Sequence, residues 1–240
     1  MYTNDLPDCI QGAETILFAD DTTIYQSSEN IQMLYANMNT NLEYLNDWFK
    51  ANKLSLNISK PNYVLFGNKI DNDLAHELNI SNIIIKRVRS TKFLGIFIDE
   101  KLKWDVHIDS IKSRIASSLY IMNKVKHIVP HSLLRTLYYS MIHPYLTYGI
   151  ILWGATYQCQ MSKLQIMQKK AVRCIDGAKY NAHSEPIFKK HSIVKLDDVY
   201  KLYIAKFIIS YLRYELPQPL QKMFLPDNDL HGHNTRQNEK

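Results

Sequence analysis

Apolar residues recur at three- and four-residue intervals from Ile31 through Leu34, Met38, Leu42, Leu45 and Trp48 to Phe49, a stripe along one side of a helix over residues 30–52. Ser27-Ser28-Glu29-Asn30 supplies the short polar side chains that cap a helix start by accepting from its first free N–H groups. The stretch before it has another period. Ile16-Leu17-Phe18 and Thr22-Thr23-Ile24-Tyr25 are rich in β-branched and aromatic residues, and they predict a hairpin with Asp20-Asp21 at its tip. After the helix, Leu54-Ser55-Leu56-Asn57 alternates and turns, and Tyr63-Val64-Leu65-Phe66 reads as a buried strand. Residues 80–88 and 91–98 then predict a second hairpin, joined through Lys86-Arg87-Val88-Arg89-Ser90. Gly95 falls inside the last of these strands, where a missing side chain marks a bulge or a close approach of another backbone.

From Asp99 onward the pattern is helical. Residues 105–128 carry Val106, Ile108, Ile111, Ile115, Leu119, Met122 and Val125 at helical spacing, and Pro130 opens a second helix through Leu133, Leu134, Leu137, Tyr138, Met141 and Ile142. Pro144 kinks or ends it. An apolar segment follows at 145–154, then a helix at 161–175 that shows Lys163, Lys169, Lys170 and Arg173 beside Leu164, Ile166, Met167 and Val172. A last helix spans about 196–216, and the polar tail 226–240 is expected to be loose. The fold class expected is α+β: an antiparallel sheet with a helix on one face over residues 1–100, then an all-helical domain over 101–225.

At 240 residues and 46% apolar content, the chain can bury one or two ordinary cores and is not a disordered protein. No run of about 18 apolar residues occurs, and the start lacks the basic, apolar, small-residue order of a signal peptide. An intracellular protein with no membrane partner is expected. Cys9, Cys159 and Cys174 are odd in number and show no Cys-x-x-Cys spacing, so reduced thiols are expected rather than disulfides or a zinc site. The net charge of +6 conceals a division. Residues 1–100 hold 8 Lys and Arg against 13 Asp and Glu, net −5, while 101–240 hold 21 against 10, net +11. Carboxylates for cations in one part and basic side chains for phosphates in the other suit an enzyme of nucleic acids, although a basic solvated surface gives the same count.

Two adjacent carboxylates at a hairpin tip repel each other unless a cation lies over them. Asp20 and Asp21 could hold part of a divalent-metal site, since Mg²⁺ takes one or two carboxylates together with phosphates and water. An ordinary surface turn favours the same residue type, because Asp side chains bond their own backbone. Further carboxylates from elsewhere would be needed for a complete site.

The order of the motifs adds to this. Phe18-Ala19-Asp20-Asp21, Trp48-Phe49, Asn52-Lys53-Leu54-Ser55-Leu56-Asn57 leading to Lys60, and Lys92-Phe93-Leu94-Gly95 with Asp99 and Trp104 resemble the reverse transcriptase of non-LTR retrotransposons, the Jockey and CR1-like elements most of all. Tyr145, Tyr148-Gly149, Trp153 and Gln165, Gln168-Lys169, Arg173 are similar to the helical thumb of those elements, and the tail string His233-Asn234-Thr235-Arg236 is similar to one found beyond it. The resemblance implies a partial polymerase palm followed by a thumb. It places Asp20 and Asp21 at the palm's metal box, with Mg²⁺ (or Mn²⁺) as cofactor, and Lys60 at the incoming triphosphate, although Lys60 also fits a solvated lysine in a turn. Pro61 stands where the family has Thr, which removes a backbone donor from that loop.

Phe93, Leu94 and Gly95 match the primer-grip hairpin, and Lys124, Lys126, Arg135, Lys169, Lys170 and Arg173 fall on helices that would hold the RNA template and DNA primer by their phosphates. Deoxynucleoside triphosphates would be the substrates. The family's first metal-binding aspartate and its fingers have no counterpart in this sequence, so the chain alone is expected to be inactive. A non-catalytic nucleic-acid-binding module is the alternative, and a remnant without a stable fold is a third possibility.

Overall fold

A computed structural model describes residues 5–55, 60–67 and 76–224, and the chain divides into two units, Met1–Val106 and His107–Lys240. In the first unit α1 (Ile31–Ala51) follows the expected stripe. Asn30 caps it, its side-chain oxygen accepting from the N–H groups of Gln32 at 2.8 Å and Met33 at 3.3 Å, two donors that a first helical turn otherwise leaves over. Tyr35, Leu42 and Leu45 are buried with Leu6, Ile10, Leu65, Leu78, Ile80 and Ile85. Asn41 lies among them at 1% exposure, tolerated because it exchanges two 2.9 Å bonds with the backbone of Gln11. That exchange ties the segment before the first hairpin to the helix.

β1 (Glu14–Phe18) and β2 (Asp21–Tyr25) pair antiparallel, with Leu17 and Ile24 packed on the core and Ile16, Phe18 and Tyr25 exposed. Of the run expected at 63–66 only its start is paired, within β3 (Asn62–Tyr63). Residues 80–88 do not form one strand. Ser81 and Asn82 both take positive φ, 51° and 63°, as the central residues of a type I′ turn do, so β4 (Asn79–Ile80) folds back on β5 (Ile83–Ile84). Ile83 and Ile84 are left exposed and Ile85 enters the core. β6 (Lys86–Arg87) then pairs parallel with β3.

The predicted hairpin between 80–88 and 91–98 is corrected in the same way. β7 (Ser90–Phe93) and β8 (Ile96–Asp99) form a hairpin of their own around Leu94-Gly95, with φ of 44° and 87°. Gly95 is a turn residue and does not interrupt a strand. The class is α+β, but among the described residues the strands make four two-stranded ladders, one of them parallel, where a single antiparallel sheet was expected. Residues 56 and 57 of the alternating Leu54-Ser55-Leu56-Asn57 segment, and the whole tail 226–240, lie outside the described residues.

α2 (Asp105–Val125) leads into the second unit, where it is followed by α3 (His131–Met141), α4 (His143–Thr147), α5 (Ile150–Trp153), α6 (Gln158–Asp176), α7 (Ser184–Lys190), α8 (Leu196–Leu212) and α9 (Gln218–Met223). α3 ends at Met141, one of the two outcomes expected around Pro144, and Pro144 itself stands in the first turn of α4, where its missing N–H costs nothing. The apolar segment at 145–154 is split by Gly149 at φ 63°, and Trp153 is fully buried with its indole N–H donated to the Tyr148 carbonyl at 2.9 Å. Gly154 lies under the Tyr200 ring, where a Cβ would overlap it. α6 starts three residues before the expected position and ends at Gly177, whose φ of 67° suits a helix C-cap. No helix among the described residues is long and apolar enough to cross a membrane.

Candidate functional site

The turn of the first hairpin is Ala19-Asp20, because Phe18 pairs directly with Asp21. Asp21 is therefore the first residue of β2 rather than half of the tip. Ala19 takes φ 55°, a conformation with a steric penalty for any residue bearing a Cβ, and this reverses the chain within two residues. Strand alternation puts Asp21 on the face shared by Phe18, Ile16 and Tyr25, away from the core that holds Leu17 and Ile24. Both carboxylates are exposed, and neither accepts a hydrogen bond or ion pair from a described residue. Hard anionic oxygens of this kind suit Mg²⁺ or Mn²⁺ in type. In number they fall short of a cage, since no group of three or more His, Cys, Asp or Glu side chains among the described residues could hold a metal.

Lys60 is exposed, and its carbonyl accepts from the Asn62 side chain at 3.4 Å, just before β3. Phe93, Leu94 and Gly95 occupy the end of β7 and the turn to β8. At the far end of that hairpin, Asp99 has a structural task. One carboxylate oxygen accepts from the N–H of Lys101 and of Lys103, each at 3.1 Å, and the other from Trp104 at 2.8 Å. The loop into α2 is wound around this carboxylate, and the adjacent Glu100 pairs with Arg87 at 3.4 Å.

In the second unit the basic positions differ in what they already touch. Lys169 and Lys170 are exposed on α6. Lys124 is exposed on α2 and lies over the Tyr120 ring at 5.4 Å. Lys126 is half-buried and near enough to Cys174 to counter the rise that burial imposes on that thiol's pKa. Arg173 is half-buried, with Nε donating to the Ala182 carbonyl at 2.7 Å. Arg135 is exposed on α3, its guanidinium 5.2 Å from the Tyr139 ring centre and its Nε donating to the His191 carbonyl at 3.2 Å.

Two groups here have structural roles that the sequence reading did not assign. Gln168, 2% exposed, donates Nε2 to the Tyr138 hydroxyl and the Val194 carbonyl and accepts the Leu196 N–H at Oε1, each at 2.9 Å. Its signal was a polar residue four positions after Leu164, three before Ala171 and seven before Ile175 on a buried stripe. At the end of α6, Asp176 accepts from Lys190 at 2.6 Å and His191 at 2.8 Å. These bonds, the Lys190 one first, hold its carboxyl below the usual range against the opposing effect of burial.

Comparison with known proteins gives a consistent set of relatives. The chain is 26% identical over 186 residues to the RNA-directed DNA polymerase from mobile element jockey of Drosophila melanogaster, covering 75% of this chain and 20% of that protein. It is 22% identical over 207 residues to the probable RNA-directed DNA polymerase from transposon X-element of the same species, covering 83% and 22%. The jockey polymerase of Drosophila funebris is 24% identical over 220 residues, covering 82% and 22%. The chain thus spans about a fifth of the length of these relatives. No protein-family model matches it, and no solved structure matches it.

Proposed function

We infer that this chain is a segment of an RNA-directed DNA polymerase of a non-LTR mobile element, and we propose that its first unit is part of the palm and its second the thumb. The observation that carries the reading is the exposed Asp20-Asp21 pair, without a partner among the described residues, in a chain whose relatives are polymerases of this class. Template-directed synthesis joins the primer 3′-oxygen to the α-phosphorus of a deoxynucleoside triphosphate, with pyrophosphate leaving. Asp20, and Asp21 as its companion, would hold Mg²⁺ or Mn²⁺, which supplies charge neutralisation on the phosphates and a more acidic primer hydroxyl. Lys60 would lend positive charge to the triphosphate and a proton to the departing pyrophosphate. Phe93, Leu94 and Gly95 offer a narrow hairpin end to the primer, and the exposed lysines of α2 and α6 offer charge to the template and primer backbones.

Alone, the chain is proposed to be inactive, because two carboxylates leave the metals short of ligands. The second reading, a module that binds nucleic acid without catalysis, is favoured by the exposed Lys124, Lys169 and Lys170. Primer extension on an RNA template with Mg²⁺ or Mn²⁺, together with filter binding of an RNA–DNA hybrid, tests both. The purified chain is expected to bind the hybrid in a salt-sensitive way and not to extend the primer. Extension abolished by Asp20→Ala would overturn the inactivity, and no binding at low salt would count against a nucleic-acid role.

A further inference from the structure

Among the basic side chains of the second unit, Arg135 is held in a way the others are not. Its guanidinium lies over Tyr139 one turn along α3, with 5.2 Å between its carbon and the ring centre, and its Nε is tied to the His191 carbonyl at the end of α7. The side chain is exposed, and it has no carboxylate partner among the described residues. Asp176, which bonds His191, is occupied by Lys190 and the His191 ring. Lys163 and Lys195, by contrast, are paired with Asp109 and Glu185. His131, one turn before Arg135, bonds the Ile175 carbonyl, and the His143 ring lies 5.1 Å from Tyr139, so His131, Arg135, Tyr139 and His143 form one row at four-residue spacing. Arg135 is the permanent cation of that row, because a guanidinium keeps its proton across the ordinary pH range.

We propose that the Arg135–Tyr139 pair is a prebuilt contact for one backbone phosphate of the bound nucleic acid, the Nη edge of the fixed guanidinium taking the phosphate oxygens with two parallel N–H bonds. This rests on the nucleic-acid-binding reading above. A guanidinium fixed at Nε and on one face has little left to lose on binding, and its fork matches phosphate geometry in a way an ammonium does not. A free lysine on α6 must give up its side-chain entropy to do the same. The competing role is a tie between α3 and the end of α7, with no ligand involved.

The test is the salt dependence of binding to a fluorescent RNA–DNA hybrid for the wild type, Arg135→Gln, Arg135→Lys and Tyr139→Leu, with a thermal melt for each. Losing one phosphate contact is expected to reduce the slope of log K against log salt by about 0.9 and to lower affinity at low salt roughly 3- to 10-fold in Arg135→Gln. Arg135→Lys should regain the slope and only part of the affinity. Tyr139→Leu should keep the slope and bind more weakly, because the fork is released. A slope and affinity unchanged in Arg135→Gln, or wild-type affinity in Arg135→Lys or Tyr139→Leu, overturns the proposal while the binding reading stands. Absence of binding by the wild type overturns both. If Arg135→Gln unfolds, the other two variants decide.

Discussion

Replacing Gln168 by Leu keeps the side chain's bulk and removes its whole hydrogen-bonding capacity. Three groups then lose their partner in the interior of the second unit: the Tyr138 hydroxyl, the Val194 carbonyl and the Leu196 N–H. Each orphaned buried group costs on the order of 1–3 kcal/mol. Leucine returns about 1 kcal/mol through its greater apolar surface. The variant is therefore expected to lose roughly 2–8 kcal/mol, a shift of the urea midpoint large enough to read without extrapolation. Trp153 is fully buried in the same unit, so its fluorescence reports the transition once Trp48 and Trp104 have been changed to Phe. Gln165→Leu is the control: its amide bonds Asp197 at 2.7 Å in an exposed setting, and its loss should cost under about 1 kcal/mol. A Gln168→Leu variant within about 1 kcal/mol of wild type would show that these three groups find other partners, and the account of how α3, α6 and the start of α8 are joined would be wrong.

Asp99→Ala should destabilise the first unit by about 1–3 kcal/mol, with Asn recovering part of it through the one oxygen it keeps; equal losses for Ala and Asn in urea unfolding would refute the loop's dependence on that carboxylate. Gly154→Ala drives a Cβ into both the Tyr200 ring and the Ile150 carbonyl and is expected to cost about 1–3 kcal/mol, of which Tyr200→Leu in the same chain regains only the share due to the ring; full recovery in the double variant, read by urea unfolding, would refute the clash with the backbone. For Asp176 the sign follows from a carboxyl held lower in the folded chain than in the unfolded one. Its contribution is present above the unfolded value of 3.8 and disappears as pH falls through the lower folded value, so Asp176→Asn should flatten the acid limb of stability below about pH 4. Identical acid limbs for wild type and variant would show that the Lys190 and His191 contacts do not matter in solution.

The parts legible from the residues were those fixed by burial. α1 and α6 declare themselves because a helix must put one face in the core, and Gly177 ends α6 where only glycine is at ease. Asp20 and Asp21 stood out because nothing apolar is gained by them. What stayed hidden were turns begun by residues that rarely adopt positive φ. Ser81 and Leu94 both do so, and each reverses a strand that the apolar pattern alone carries straight on. Within the candidate nucleic-acid surface, counting charge could not separate Arg173 and Arg135, whose Nε atoms bond backbone carbonyls, from the exposed Lys169 and Lys170. Gln168 entered the sequence reading only within a string similar to the family's thumb, because a hydrogen-bonded amide in the interior carries no mark in a pattern of apolar positions.

The β3–β6 ladder has a consequence for the order of folding. Every other strand pair described in the first unit joins neighbours in the chain, and such hairpins close within about 1–10 μs. β3 and β6 instead run parallel and are separated in sequence by the β4–β5 hairpin, so their pairing must wait for the Ser81-Asn82 turn to bring the strand back. Asn82→Gly, which eases that turn, should speed refolding of the first unit and leave its unfolding rate nearly unchanged, so the turn residues would govern how quickly the unit forms more than how long it lasts.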